Sequence, residues 1–136
     1  MSAWLGVVSR DHVQRGVEEG IAQIGHGKRT GLARMKCGDW LIYYSPRSSL
    51  ESNEPLQLFT AIGVVADDEI WQVDEGDFKP WRRRVNYVTN ATETPIRPLI
   101  GILAMTSIPK WGYQLRRGLL TLADTDFTII QSAMND

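Results

Sequence analysis

A single cysteine, Cys37, excludes an intramolecular disulfide, and only two histidines, His12 and His26, join it as soft metal ligands. None of the three shares a zinc-ligand spacing with another, so no metal site is expected. Long hydrophobic runs are missing as well: no apolar stretch approaches the roughly 20 residues needed to span a bilayer. The opening residues lack the charged-then-apolar pattern of a signal peptide. Charge of one sign is also lacking, because 15 Lys and Arg against 16 Asp and Glu leave a formal net charge of -1 and a pI near 6.1. No global field pulls such a chain onto nucleic acid or anionic lipid, and any polyanion site has to be a local patch. These absences together read as a cytoplasmic protein with no membrane partner and no cofactor.

What is present fits one domain over residues 1–136, with 43% hydrophobic and 23% charged residues. Residues 4–8 are rich in strand formers and end at Ser9, a good helix N-cap residue. A helix over residues 10–19 follows, with Val13 and Val17 four apart and Gly20 as its stop. Residues 21–30 are punctuated by glycine and read as a loop, with one helical turn over residues 32–35. Trp40-Leu41-Ile42-Tyr43-Tyr44-Ser45 is a central strand. Residues 56–65 form another, turning at Asp67-Asp68 into a third over residues 70–73. In the strand over residues 81–88, alternation places Arg82 and Arg84 on one face and Arg83 on the other. Periodicity leaves residues 99–105 open between helix and strand. Residues 118–122 read as the last strand, and Asp124 as the cap of a closing helix carrying Phe127, Ile130 and Met134. The fold class is α+β, mainly β: a small, nearly closed sheet of five or six strands with short helices packed around it.

Gly27-Lys28 is not a phosphate-binding P-loop, because the first glycine of that motif would fall on Ala22 and Arg29 replaces the magnesium-binding hydroxyl. A looser reading has the backbone amides of residues 25–28, with Lys28 and Arg29, cradling a nucleic-acid phosphate; a merely solvated basic loop is the competing reading. The acidic residues between 67 and 77 fall around turns, where solvated carboxylates are common. Tryptophan is the compositional oddity, at five of 136 residues. Tyr43-Tyr44-Ser45 at a strand end, and Phe78, Trp81 and Trp111 beside prolines, suit either core packing or the stacking of a flat base.

Trp4-Leu5-Gly6-Val7-Val8-Ser9, His12-Val13, Gln23-Ile24-Gly25-His26-Gly27-Lys28, Leu32-Ala33-Arg34-Met35, Tyr43-Tyr44-Ser45-Pro46, Phe78-Lys79-Pro80-Trp81-Arg82-Arg83 and Arg117-Gly118 together resemble the EVE domain family, across almost the whole chain. The resemblance implies a PUA-like β pseudo-barrel and kinship with the YTH domain, a reader of N6-methyladenine in RNA. It therefore implies a binder of DNA or RNA carrying a modified base, acting with other proteins of a modification or defence pathway, rather than an enzyme. Ala22 stands where the related domains place one aromatic wall of their cage. Ser9, Gln23, Tyr43, Tyr44 and Ser45 are the expected edge contacts to the base, Phe78 or Trp81 its stacking surface. His26, Gly27, Lys28, Arg29, Arg82 and Arg83 are the expected phosphate contacts. Two rivals stay open. One is an enzyme, or an enzyme accessory, acting on a nucleotide-like ligand through His12, His26 or Cys37; the other is a protein-interaction module built on exposed tryptophans.

Overall fold

The computed structural model describes residues 2–135. One seven-stranded sheet, β1 (Ala3–Val7), β2 (Ile21–Ala22), β3 (Trp40–Ser45), β4 (Leu58–Gln72), β5 (Trp81–Tyr87), β6 (Thr94–Pro95) and β7 (Leu119–Leu122), has the order β2-β5-β4-β3-β1-β7, with β6 on β4. Three α-helices accompany it: α1 (Arg10–Glu19), α2 (Arg29–Arg34) and α3 (Asp124–Met134). All pairings are antiparallel except β1 with β3, whose connection carries α1 and α2. No helix among the described residues is long and apolar enough to cross a membrane. This is the mainly β, α+β arrangement expected from the sequence, with seven strands in place of the five or six expected because the two-residue strands β2 and β6 are too short to show as periodic runs.

Side-chain alternation sorts the interior into two clusters. Trp4 of β1, Ala22 of β2, Leu41 and Tyr43 of β3, Ala61 and Val65 of β4, Val85 of β5 and Leu119 of β7 meet with Val13, Leu32 and Met35 in one. Ile24, just past β2, and Leu119 of β7 belong to opposite ends of the strand order, yet both lie within 4 Å of where a Cβ on Gly31 would stand, so the sheet curls on itself and this cluster is the inside of a pseudo-barrel. The other faces of β1, β3, β4 and β7 pack with Ile130 and Met134 of α3, and with Ile96 and Leu103. Asp126, buried in α3, accepts from the backbone N–H groups of Ala104 and Met105 at 2.7 and 3.0 Å and ties the irregular segment before β7 to that helix.

Several local expectations are corrected. Residues 21–30 are not all loop: Ile21 and Ala22 are buried and pair with Arg84 and Arg83 of β5. Helix α2 already begins at Arg29. Asp67-Asp68 is not a hairpin turn, since residues 63–65 and 70–72 pair with the same strand, β5, across an irregularity between Val65 and Ile70. A bulge keeps the chain in one strand while throwing residues 66–69 outward. Residues 99–105 resolve into short 3-10 turns, Arg97–Leu99 and Ala104–Thr106, rather than helix or strand. Ala123, not Asp124, holds the N-cap position of α3, with no side-chain cap bond; Asp124 instead stands in the first turn, where a carboxylate suits the helix dipole. Gly20 does close α1, at φ 70°, donating its N–H to the Gly16 and Val17 carbonyls.

Two buried polar groups hold the curl. The Arg83 side chain, 3% exposed, donates Nη1 to the Leu32 and Met35 carbonyls at 2.9 and 2.7 Å, and Nε and Nη2 to the Asp67 carbonyl at 3.3 and 2.8 Å. It thereby binds the C-terminal carbonyls of α2 to the β4 bulge. Asp39, also buried, accepts from the Ser2 N–H at 3.0 Å and from Trp4 Nε1 and the Lys36 N–H at 2.9 Å each. Burial works against its charge, but these three donors outweigh burial and hold the carboxyl below the ordinary 3.8.

Arg83→Met is expected to lower unfolding stability by about 3 kcal/mol, because the carbonyls it satisfies stay buried without a donor; urea titration monitored by circular dichroism measures this. Asp39→Asn is expected to lose about 1 to 2 kcal/mol at pH 7. A depressed carboxyl stabilises the fold above its unfolded value, and this contribution is lost as pH falls through the folded one, so the gap between variant and wild type should narrow below about pH 4. Urea midpoints at pH 7 and pH 3 decide it, and an unchanged gap contradicts the assignment.

Candidate functional site

The curled sheet does not close. Strands β2 and β7 are its two ends, unpaired with each other among the described residues. A cleft of about 820 Å³ lies along this seam. Its walls come from Val7, Val8, Ser9 and His12 at the β1–α1 junction, residues 23–28 after β2, Thr30, Gly31 and Arg34 of α2, and residues 115–119 leading into β7. Pro46, Arg47 and Leu50 close one end, and Phe78 reaches in from the connection between β4 and β5. The Val7 N–H donates to the Gly118 carbonyl at 2.8 Å, fixing the β7 side of the seam against the floor.

Gly25, His26 and Gly27 are three consecutive residues at positive φ, 57°, 59° and 81°. This left-handed turn is held by the Gly27 N–H donating to the Ile24 carbonyl at 3.0 Å. A Cβ on Gly27 would stand 2.7 Å from Pro80 Cβ and 3.0 Å from Phe78 Cζ, so conformation and space both require glycine there. The bare backbone lets the Phe78-Lys79-Pro80 segment lie against the turn, which brings the Phe78 ring, 42% exposed, to the cleft.

Gln23 is fixed from behind. Its Oε1 accepts from Arg82 Nε at 2.9 Å, which leaves the NH2 as the end that can donate to a ligand. Arg82 is itself held by Glu75 at 3.1 Å and Glu19 at 3.7 Å. The Gln23 backbone N–H meets the buried Tyr43 hydroxyl, whose pKa burial pushes up to about 12. Tyr43 is in turn hydrogen-bonded to Tyr87, whose hydroxyl donates to the Ile21 carbonyl at 2.7 Å. On the opposite wall, the Ser9 hydroxyl donates to Asp11 Oδ1 at 2.7 Å.

Lys28, Arg34, Arg47, Arg116 and Arg117 line the cleft together with His12 and His26, and no Asp or Glu does. A chain of net charge -1 thus gathers five of its 15 Lys and Arg side chains around one concavity. Arg34 lies 5.1 Å from the Trp4 ring centroid and Arg116 4.9 Å from that of Tyr113, which orients both guanidinium groups without neutralising them. Among the described residues no group of three or more His, Cys, Asp and Glu is placed to hold a metal ion.

Of the residues singled out in the sequence, Ser9, Gln23, His26, Gly27, Lys28 and Phe78 come together in this cleft. The others do not. Tyr43, Tyr44 and Ser45 are buried. Tyr44 packs on Phe59 at 5.5 Å and Ser45 shares a 2.8 Å hydrogen bond with Thr60, because β3 is a central strand covered on both faces. Arg83 is occupied by backbone carbonyls inside the fold, and Arg82 by carboxylates, so neither stands free for a phosphate. Trp81 is half-buried against the barrel interior, with the Arg29 guanidinium 5.7 Å from its ring centroid, and neither residue lines the cleft. Ala22 is buried, leaving the wall next to it to the Gln23 amide. Sequence reasoning passed over Arg34, Arg47, Arg116 and Arg117 as ligand contacts, which are scattered along the chain, with only the Arg116-Arg117 doublet beside Gly118 offering a signal; His12, named there for the rival enzyme reading, also lines the cleft.

The family model for the EVE domain matches residues 2–133. A UPF0310 protein of Renibacterium salmoninarum is 49% identical, over 96% of this chain and 94% of its own length. One from Mycobacterium avium is 46% identical, over 100% and 99%. Among solved structures, a protein of Leishmania major superposes with a TM-score of 0.65 at 13% identity, covering 99% of this chain and 95% of its own. One from Pseudomonas putida gives 0.60 at 12% identity, covering 98% and 99%. At such low identity these two likenesses concern the fold alone. The family match over nearly the full length, with relatives close to half identical, makes the protein a member of the EVE domain family.

Proposed function

We propose that the protein binds DNA or RNA and holds a single, modified base in the cleft along the open seam of its sheet. The observation that carries this reading is the cleft's charge: five cationic side chains, two histidines and no carboxylate, on a chain with no net positive charge. Phosphates are recognised by such a patch, and a base by what lies within it. Phe78 offers the stacking surface, the Gln23 NH2 and Ser9 the hydrogen-bonding edge, and Lys28, Arg47, Arg116 and Arg117 the phosphate contacts. A base can enter such a pocket only from a single strand or after leaving its stack. With an amide beside the stacking ring rather than a full aromatic cage, the pocket suits a neutral base over a cationic one. The protein acts as a reader and leaves the base unchanged.

The direct test is a screen of short oligonucleotides, each with one modified base, on both sugar backbones. Preference for one modification supports the reading, and uniform or absent binding opposes it. The rival enzyme reading has His12 and His26 in the cleft as its candidates, whereas Cys37 does not line it. Mass spectrometry of the preferred oligonucleotide after prolonged incubation decides between them, since a changed mass assigns catalysis. The tryptophan-patch reading loses its footing, because none of the five tryptophans is exposed.

Phe78→Ala is expected to weaken oligonucleotide binding by about 1 to 3 kcal/mol with little change in melting temperature. Trp81→Ala should do the reverse, lowering stability by about 2 kcal/mol while the folded fraction binds nearly as wild type. Calorimetric melting and fluorescence anisotropy on the same two samples separate ring stacking from packing. The salt dependence should be modest: up to five cations on a single strand give a slope of log affinity against log salt between about -2 and -3.5. A much steeper slope in an anisotropy titration would assign binding to a larger surface than this cleft.

A further inference from the structure

A second concavity, of about 340 Å³, opens beside the first, and Arg116 and Arg117 line both. Two hollows that share the same side chains meet within a side chain's length. The second is floored by Trp111 and Tyr113 in the 3-10 helix Trp111–Arg117 and rimmed by Ile108, Lys110 and Gln114. Tyr113 is 71% exposed, the highest value among the large apolar side chains of the described surface. Water is a poor neighbour for a ring in that position, and the Arg116 guanidinium 4.9 Å from its centroid covers it only in part. Lys110, Arg116 and Arg117 line the hollow together with the ring, and no carboxylate does.

We propose that this hollow is a flanking-nucleotide subsite: a neighbour of the base held in the main cleft stacks on Tyr113, and the phosphate between them is held by Arg116 and Arg117. The proposal rests on the nucleic-acid reading and deepens it, because it makes the ligand a single strand of at least two nucleotides rather than a free nucleotide. Three features argue for a nucleotide over an apolar protein segment. Three cations line the hollow with the ring, the hollow shares Arg116 and Arg117 with the cationic cleft, and an aromatic face with an arginine beside it accepts any base by stacking. Stacking carries no hydrogen-bond code, so the subsite contributes affinity with little sequence preference at the flanking position.

The test compares two ligands of the same modified base, the mononucleotide and a fluorescently labelled tetranucleotide, with wild type, Tyr113→Ala and Tyr113→Phe. Wild type should bind the tetranucleotide more tightly. Tyr113→Ala should lose roughly fivefold to a hundredfold on the tetranucleotide and nothing on the mononucleotide, with Tyr113→Phe close to wild type. Equal affinity of Tyr113→Ala and wild type for the tetranucleotide overturns the subsite while leaving the main-cleft reading intact. Equal losses on both ligands overturn it too, since Tyr113 would then act through the main cleft. Absence of binding by wild type to either ligand removes both readings. Sedimentation velocity of the same proteins provides a further check: wild-type self-association abolished by Tyr113→Ala would assign the ring to a protein contact instead.

Discussion

The buried guanidinium of Arg83 is the interaction on which the arrangement rests. A full charge at 3% exposure is tolerated because its donors meet three backbone carbonyls, two from the end of α2 and one from the β4 bulge, and because the Asp68 carboxylate pairs with Nη2 at 3.4 Å. Helix C-terminal carbonyls carry partial negative charge, so the cation stands where both the dipole and the unpaired oxygens favour it. The short helix is thereby clamped over the barrel interior. From that clamp follows the position of everything between Gln23 and Arg34, which is one whole wall of the cleft.

The same wall depends also on a different kind of constraint, the lack of a side chain. Gly27 lets Pro80 and Phe78 approach the backbone of the left-handed turn, so a segment far along the chain delivers an aromatic ring to the rim. Arg82, one residue before the clamp, fixes the Gln23 amide and with it the polar edge of the pocket. Neighbouring residues on one strand thus face opposite ways and serve opposite needs: Arg83 inward for the fold, Arg82 outward for the site's geometry.

Much of the architecture was legible in the sequence because hydrophobic alternation and glycine stops are local signals. Residues 40–45 and the α1 helix ending at Gly20 needed nothing from the rest of the chain. The β4 bulge was not legible, since Asp67-Asp68 has the composition of a turn and only the continued pairing with β5 keeps it in the strand. At the site, the residues following β2 were recognisable because glycine and basic residues cluster there in sequence. Arg34 and Arg47 were not, because each is a single ordinary surface charge until the curl gathers them. Tyr43, Tyr44 and Arg83 misled for the converse reason: aromatic and basic side chains have the chemistry of a binding site wherever they stand, and burial alone decides whether it is available.

The unpaired seam between β2 and β7 links ligand and scaffold thermodynamics. Its two lips come from opposite ends of the chain, residues 21–31 and 115–119, and a guest touching both joins segments that no strand pairing connects. Such a guest acts as a missing stave of the barrel. It finds both lips in place only in the folded state, so its binding free energy adds to the stability of the fold in proportion to the logarithm of its concentration over its dissociation constant. A molecule with its cleft occupied is therefore held where the strand pairing of the described residues leaves the sheet open, and resistance to unfolding becomes a property that any such guest shares with the protein.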